Sequence, residues 1–264
     1  MLIDTHCHLN FPDFQQDQNQ VIKRASARQV EKIVLASASV DESLKNIRLA
    51  LKYPNLWTMA GIHPHNTDPG TKAKLAGQRQ KIESLIKISK ENKIVAVGEI
   101  GLDYFSTPSQ EENQTKEEQI WLFEQQLKLA EKYQLPAVIH SRKAAEETLK
   151  IIKEFPKIKK VIHCFSYPYQ IAKKFLDLDC LISFTGIITF PNADDLREIA
   201  RRIPLEKIML ETDAPFLAPQ EHRGERNEPA YVKIIAQCLA QTKKIDIGVI
   251  TSVTTDTAES FFVI

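Results

Sequence analysis

Eight short apolar runs recur along the chain: MLIDTH, KIVLAS, LWTMAGIH, KIVAVGEI, LPAVIH, KKVIHC, CLISFTG and KIMLET. Each is nearly continuous rather than alternating, the pattern of parallel strands buried on both faces. Between them lie longer stretches of helical periodicity. TKEEQIWLFEQQLKLAEKY opens with Thr115 and Glu118 at capping-box spacing, and its Ile120, Phe123, Leu127 and Ala130 share one helical face. Leu75 to Lys90 and Asp194 to Arg202 are patterned alike, and Pro229 suits the first turn of another helix. Eight strand–helix repeats predict an α/β fold, a (β/α)8 TIM barrel, with a doubly wound open sheet as the rival.

Length agrees with one barrel: the chain has 264 residues, and such a barrel takes about 250. No Gly/Ser-rich linker or internal repeat divides it, so residues 1–264 are expected to form a single domain. A net charge of +1 excludes the global basic field of a sequence-independent DNA coater, so any nucleic-acid contact must come from a local patch. The basic clusters Lys157, Lys159, Lys160 and Arg201, Arg202 read as solvated faces or helix ends. Cys7, Cys164, Cys180 and Cys238 form no CxxC pattern, which suits free thiols in a reducing compartment. No run is long and apolar enough for a membrane span or shaped like a leader, so the expected location is cytoplasmic and away from membranes.

The polar residues sharpen the picture. His6 and His8 end the first predicted strand, His63 the third, Glu99 the fourth, His140 the fifth and His163 the sixth; Asp213 follows the eighth. All strand C-termini of a barrel meet at one face, where active sites sit. Residues i and i+2 of a strand share a face, so His6 and His8 would point together into the mouth and Cys7 toward the helices. Imidazole and carboxylate donors suit Zn, Mn or Mg. One ion needs three or four protein ligands, so this set predicts two divalent ions per chain, bridged by a carboxylate such as Glu99.

Seven motifs in order carry a resemblance: DTHCHL (4–9), GIHPH (61–65), VGEIGLDY (97–104), IHSR (139–142), HCFS (163–166), ETDAPFLAP (211–219) and RGERNEPAYV (223–232). The chain resembles the TatD-type metal-dependent deoxyribonucleases, within the wider metal-dependent hydrolase barrels of amidohydrolase-like fold. That resemblance implies His6, His8, Glu99, His140, His163 and Asp213 as metal ligands, with Glu99 shared. It implies hydrolysis of DNA phosphodiester bonds, often exonucleolytically, with single-stranded DNA or 3′ ends as substrate. Three positions depart from the family pattern: Lys143 replaces an acidic residue, Tyr167 a Gly, and TTDTAESFF (254–262) lacks an Asn. None removes a ligand. The first two fall in loops at the active face and bear on substrate preference.

Asp213 and Glu99 are the expected catalytic carboxylates, Asp213 orienting the attacking water and accepting its proton. His63, Tyr104, Arg142, Arg223 and Arg226 are candidate substrate contacts: Tyr104 by stacking on a base or packing its loop, the arginines as phosphate clamps, with an ion pair to a nearby Glu as the other role for Arg226. Asp4 is expected to buttress a histidine, His65 to stand behind the ligands, and His222 to face solvent. The loops 104–115 and 214–228 should rim the pocket. The other functional readings are an amidohydrolase or deacylase acting on C–N or ester bonds, for example of a D-aminoacyl-tRNA, and a non-catalytic metal-binding protein. Glu99 stands where many two-metal amidohydrolases use a modified lysine, which favours the TatD type. No protein partner is evident, and a monomer is expected.

Overall fold

The computed structural model of the chain describes residues 1–65, 72–105 and 115–264. Its strands are β1 Leu2–Cys7, β2 Val30–Leu35, β3 Leu56–Ala60, β4 Ile94–Asp103, β5 Ala137–Arg142, β6 Lys160–Ile162, β7 Leu181–Phe184 and β8 Ile208–Leu210. They pair in chain order, every neighbour parallel. This is the barrel, not the open sheet. Its seam closes just past β8: His8 N donates to Ala214 O at 2.7 Å, and Asp213 N to His6 O at 2.9 Å. Buried Asp4 ties the same seam, accepting from Thr212 Oγ1 at 2.6 Å and Thr212 N at 2.9 Å.

The helices are α1 Gln18–Ala27, α2 Val40–Ala50, α3 Lys72–Ile86, α4 Lys116–Tyr133, α5 Ala145–Lys153, α6 Tyr169–Asp177, α7 Asp194–Arg202, α8 Val232–Lys243 and α9 Ile247–Phe262. Thr115 and Glu118 form the expected capping box of α4, and α7 spans the residues its periodicity predicts. α3 starts and stops earlier than its pattern, and Pro229 opens a short 3-10 turn ahead of α8. Lys160 departs from the solvated-face expectation. It is buried, its ammonium donating to Phe155 O and Ile158 O at 2.9 and 2.7 Å.

Two cores result. The larger lies between strands and helices and includes Cys7, Leu35, Phe123, Ile139 and Phe184. The smaller fills the barrel: Ile3, Val34, Met59, Ala96, Val138, Val161 and Met209 pack with Ala258, Phe261 and Phe262 of α9. α9 lies across the N-terminal ends of the strands, where Thr255 Oγ1 reaches Met1 O and Lys159 Nζ reaches Ser260 O. The barrel therefore has an apolar floor and leaves its opposite mouth for polar groups. Among the described residues no helix is long and apolar enough to cross a membrane.

Candidate metal centre

Glu99 is the hub of that mouth. It lies inside β4 rather than at its end, where the β4–β5 register shifts between Val97 and Ile100. Its Oε2 faces His6 Nε2 at 3.4 Å and His8 Nε2 at 4.0 Å. Its Oε1 faces the other side: His140 Nδ1 at 2.8 Å, His63 Nε2 at 3.5 Å and His163 Nε2 at 3.7 Å. Asp213 Oδ1 closes the first group, 3.6 Å from His6 Nε2, 3.5 Å from His8 Nε2 and 3.9 Å from His163 Nε2. The six residues expected as ligands thus meet at one place, with His63 among them. The i, i+2 argument places His6 and His8 together, and Cys7 packs in the outer core.

The supporting residues come from all round the barrel. Glu211 Oε1 accepts from Ser183 Oγ at 2.6 Å and Cys164 N at 2.8 Å, and lies 2.8 Å from His163 Nδ1. That contact orients the ring with Nε2 toward the centre, a carboxylate–histidine pairing common behind metal ligands. Asp103 Oδ2 lies 2.9 Å from His140 Nε2 and 3.4 Å from His65 Nε2. Gly101 lets β4 and β5 meet here: its φ is +144°, and a Cβ would fall 1.9 Å from His140 O. Two buried glutamines of α4 clamp the backbone, Gln126 on Ile62 (2.8 and 3.0 Å) and Gln119 on Asp103 (2.9 and 3.1 Å). Asp4 buttresses His6 through its backbone, accepting from His6 N at 3.3 Å.

Burial disfavours charge on all these groups, yet pairing overrides it for most. Surrounding imidazoles hold Glu99 and Asp213 below the usual carboxylate range. Burial opposes the His163 cation, but Glu211 and Glu99 outweigh it and lift the ring to about 10. His63 goes the other way, pushed down by burial to about 3. Its Nδ1 accepts from His65 N at 3.1 Å, so the proton of the neutral ring sits on Nε2.

These residues fit a divalent metal. His6 Nδ1 and Nε2 and His8 Nδ1 are buried without a hydrogen-bond partner among the described residues. An unsatisfied buried polar group costs about 1–3 kcal/mol. His6, His8 and Glu99 offer donor atoms within 4.8 Å of one another, and His140 Nδ1 lies on the other oxygen of Glu99. Imidazole nitrogen with carboxylate oxygen suits Zn or a similar ion.

The candidate substrate contacts divide. Arg142 is exposed, its guanidinium 3.9 Å over the Phe105 ring, with Lys143 Nζ 4.8 Å from the same ring. Exposed Arg223 lies 4.9 Å over Phe190. Tyr104 packs against the core with Lys116 over its ring at 4.6 Å. Arg226 is not free for a phosphate. It makes a two-pronged bridge to Asp17 at 2.8 and 2.7 Å and donates to Asp13 O, so the ion pair is with an Asp, not a Glu. Tyr167 ties its loop to the end of β5 and the turn after it, its hydroxyl 3.0 Å from Ser141 Oγ and accepting from Ala144 N at 3.1 Å. His222 is partly covered, stacked on Tyr231 at 4.0 Å. Of the loop at 104–115, residues 106–114 lie outside the described residues.

The profile of the family described as TatD related DNase matches residues 3–263. The chain is 34% identical over 264 residues to the uncharacterized metal-dependent hydrolase YabD of Bacillus subtilis, covering 99% of both chains. It is 30% identical over 273 residues to the 3′-5′ ssDNA/RNA exonuclease TatD of Salmonella typhimurium, covering 99% of this chain and 98% of that one. Among solved structures it is similar to YjjV, a TatD homologue from Escherichia coli, with a TM-score of 0.89 and 30% identity over 100% of this chain and 98% of that one.

Proposed function

The chain belongs to the TatD related DNase family and is a metal-dependent hydrolase, and from that premise we propose that it hydrolyses phosphodiester bonds of single-stranded DNA from a 3′ end, at a centre holding two divalent ions. One observation carries this reading: the two oxygens of Glu99 face different histidine groups, His6 and His8 on one side and His140, His63 and His163 on the other. A carboxylate so placed suits two ions. His6, His8 and Asp213 would hold one, His140 and His163 the other, and Glu99 both. Ions bound there would act as Lewis acids on the phosphoryl oxygens and on the attacking water.

The remaining work falls to the chain. Asp213 has a side chain 15% exposed, against 6% for Glu99 and 2% for Glu211, so it is the carboxylate a water reaches most readily. It orients the attacking water and takes its proton. His63, neutral and protonated on Nε2, donates to a phosphoryl oxygen. Arg142, Lys143 and Arg223 meet phosphates farther along the strand. Glu211 and Asp103 fix the rings of His163 and His140.

The test strips the protein with a chelator, adds back Zn, Mn or Mg, and supplies end-labelled single-stranded DNA, RNA, a D-aminoacyl-tRNA and a simple amide. Metal-dependent shortening of the DNA from its 3′ end is expected. Deacylation of the tRNA or cleavage of the amide with DNA left intact would refute the nuclease reading.

A further inference from the structure

A phenylalanine ring stands half in solvent at the edge of the metal centre. Phe216 follows Asp213 in the loop after β8 and is 50% exposed. Its ring centroid lies 6.3 Å from that of His8. Phe11, just past β1, sits 4.8 Å from His8 and meets Phe216 edge-on at 5.7 Å. Two aromatic rings therefore flank the imidazole that faces Asp213.

The backbone that carries Phe216 is pinned. Phe216 N donates to Asp213 O at 3.0 Å. Fully buried Asn227 donates from Nδ2 to Phe216 O at 2.6 Å and to Thr212 O at 2.8 Å, and its backbone N donates to Pro215 O at 3.1 Å. An apolar ring gains free energy by leaving water. Here the loop is held so that one large ring stays out, beside the reacting groups.

We propose that Phe216, edged by Phe11, is the stacking platform for the nucleobase next to the scissile phosphate. The inference rests on the nuclease reading and deepens it. A base lies one sugar away from its phosphate, which suits a ring beside the centre rather than within it. Every base has a π-face, so the platform accepts any sequence, whereas a duplex keeps its base faces stacked on one another. The contact exists before and during the reaction alike, so it acts on KM and not on kcat.

The experiment compares a short single-stranded DNA with the same strand carrying tetrahydrofuran abasic residues at its two 3′-terminal positions, using metal-loaded protein whose metal content is measured for each variant. Phe216→Ala should raise KM for the ordinary strand by about 5- to 100-fold, the range of base–aromatic stacking. It should leave kcat, and KM for the abasic strand, unchanged. Phe216→Trp should restore KM, and in chelator its added fluorescence should be quenched by the ordinary strand but not by the abasic one. An equal rise on both strands, or on neither, overturns the platform while leaving the nuclease reading intact. Wild-type protein that cleaves neither strand overturns both.

Discussion

Glu211→Gln separates holding a metal ligand from holding the fold. Two hydrogen-bond donors and one imidazole converge on Glu211 Oε1: Ser183 Oγ donates at 2.6 Å, Cys164 N donates at 2.8 Å, and the His163 ring stands against it at 2.8 Å. A glutamine carbonyl in that position accepts from Ser183 and Cys164 and still faces the His163 ring, so the geometry survives and only the charge is lost. Charged hydrogen bonds exceed neutral ones by roughly 1 kcal/mol each, so the fold should lose about 1–3 kcal/mol, a fall of roughly 2–10 °C in melting temperature for a chain of this size. Metal binding should suffer more. Removing the carboxylate behind a metal-bound histidine costs about 10- to 100-fold in affinity. Activity should follow and return at higher metal concentration. Glu211→Ala instead strands two donors at about 1–3 kcal/mol each and leaves the His163 ring without its carboxylate, enough to threaten folding outright. The assays are thermal melts in chelator and metal titration by calorimetry. A Glu211→Gln protein with wild-type metal affinity would refute the proposal that His163 is a ligand held by Glu211.

Asp213→Asn should keep most bound metal yet lower kcat by about 10²- to 10⁴-fold, because the amide accepts no proton; activity restored by excess metal would reduce Asp213 to a ligand. Arg226→Ala should cost about 1 kcal/mol and leave the salt dependence of DNA cleavage alone. Bonding to Arg226 draws the Asp17 carboxyl down to about 2, so this bridge stabilises the fold above about pH 4 and is lost as pH falls toward 2; stability curves of the two proteins should converge there. Arg142→Ala with Lys143→Glu should raise KM for DNA and flatten its salt dependence, since both cations stand exposed over Phe105; an unchanged salt slope would place the strand elsewhere. Phe261→Ala opens the barrel floor and should cost about 3–5 kcal/mol by urea unfolding, with kcat unaffected while the protein stays folded.

Much of the barrel and its mouth was legible because buried parallel strands announce themselves as unbroken apolar runs, and a polar residue at such a run's end stands out. His6, His8, His140, His163 and Asp213 are all visible in this way. Glu99 was visible too, although β4 continues past it to Asp103 and the register shift beside it leaves no mark in the sequence. Gln119, Gln126, Asn227 and Glu211 were not legible. Their importance lies in which backbone groups they meet, and those partners come from remote segments. α9 was missed for another reason. IGVITSVTTDTAESFF is rich in β-branched residues with weak helix propensity, and its helix is supported by packing on the barrel floor. Arg226 and Arg142 have the same side chain and read alike as cations; only the placement of Asp17 distinguishes them.

The seam has a consequence for the protein's birth. Asp4 and Thr212 are 208 positions apart, yet their bond and those of His6, His8 and Asp213 close the barrel together. A ribosome delivers the first histidines early and must finish nearly the whole barrel before Asp213 emerges to meet them. Nascent chains and N-terminal fragments that end before Asp213 therefore hold the histidines and Glu99 but lack the carboxylate proposed to take the proton. On the mechanism proposed above, activity would be absent throughout synthesis and would begin in the same event that completes the fold.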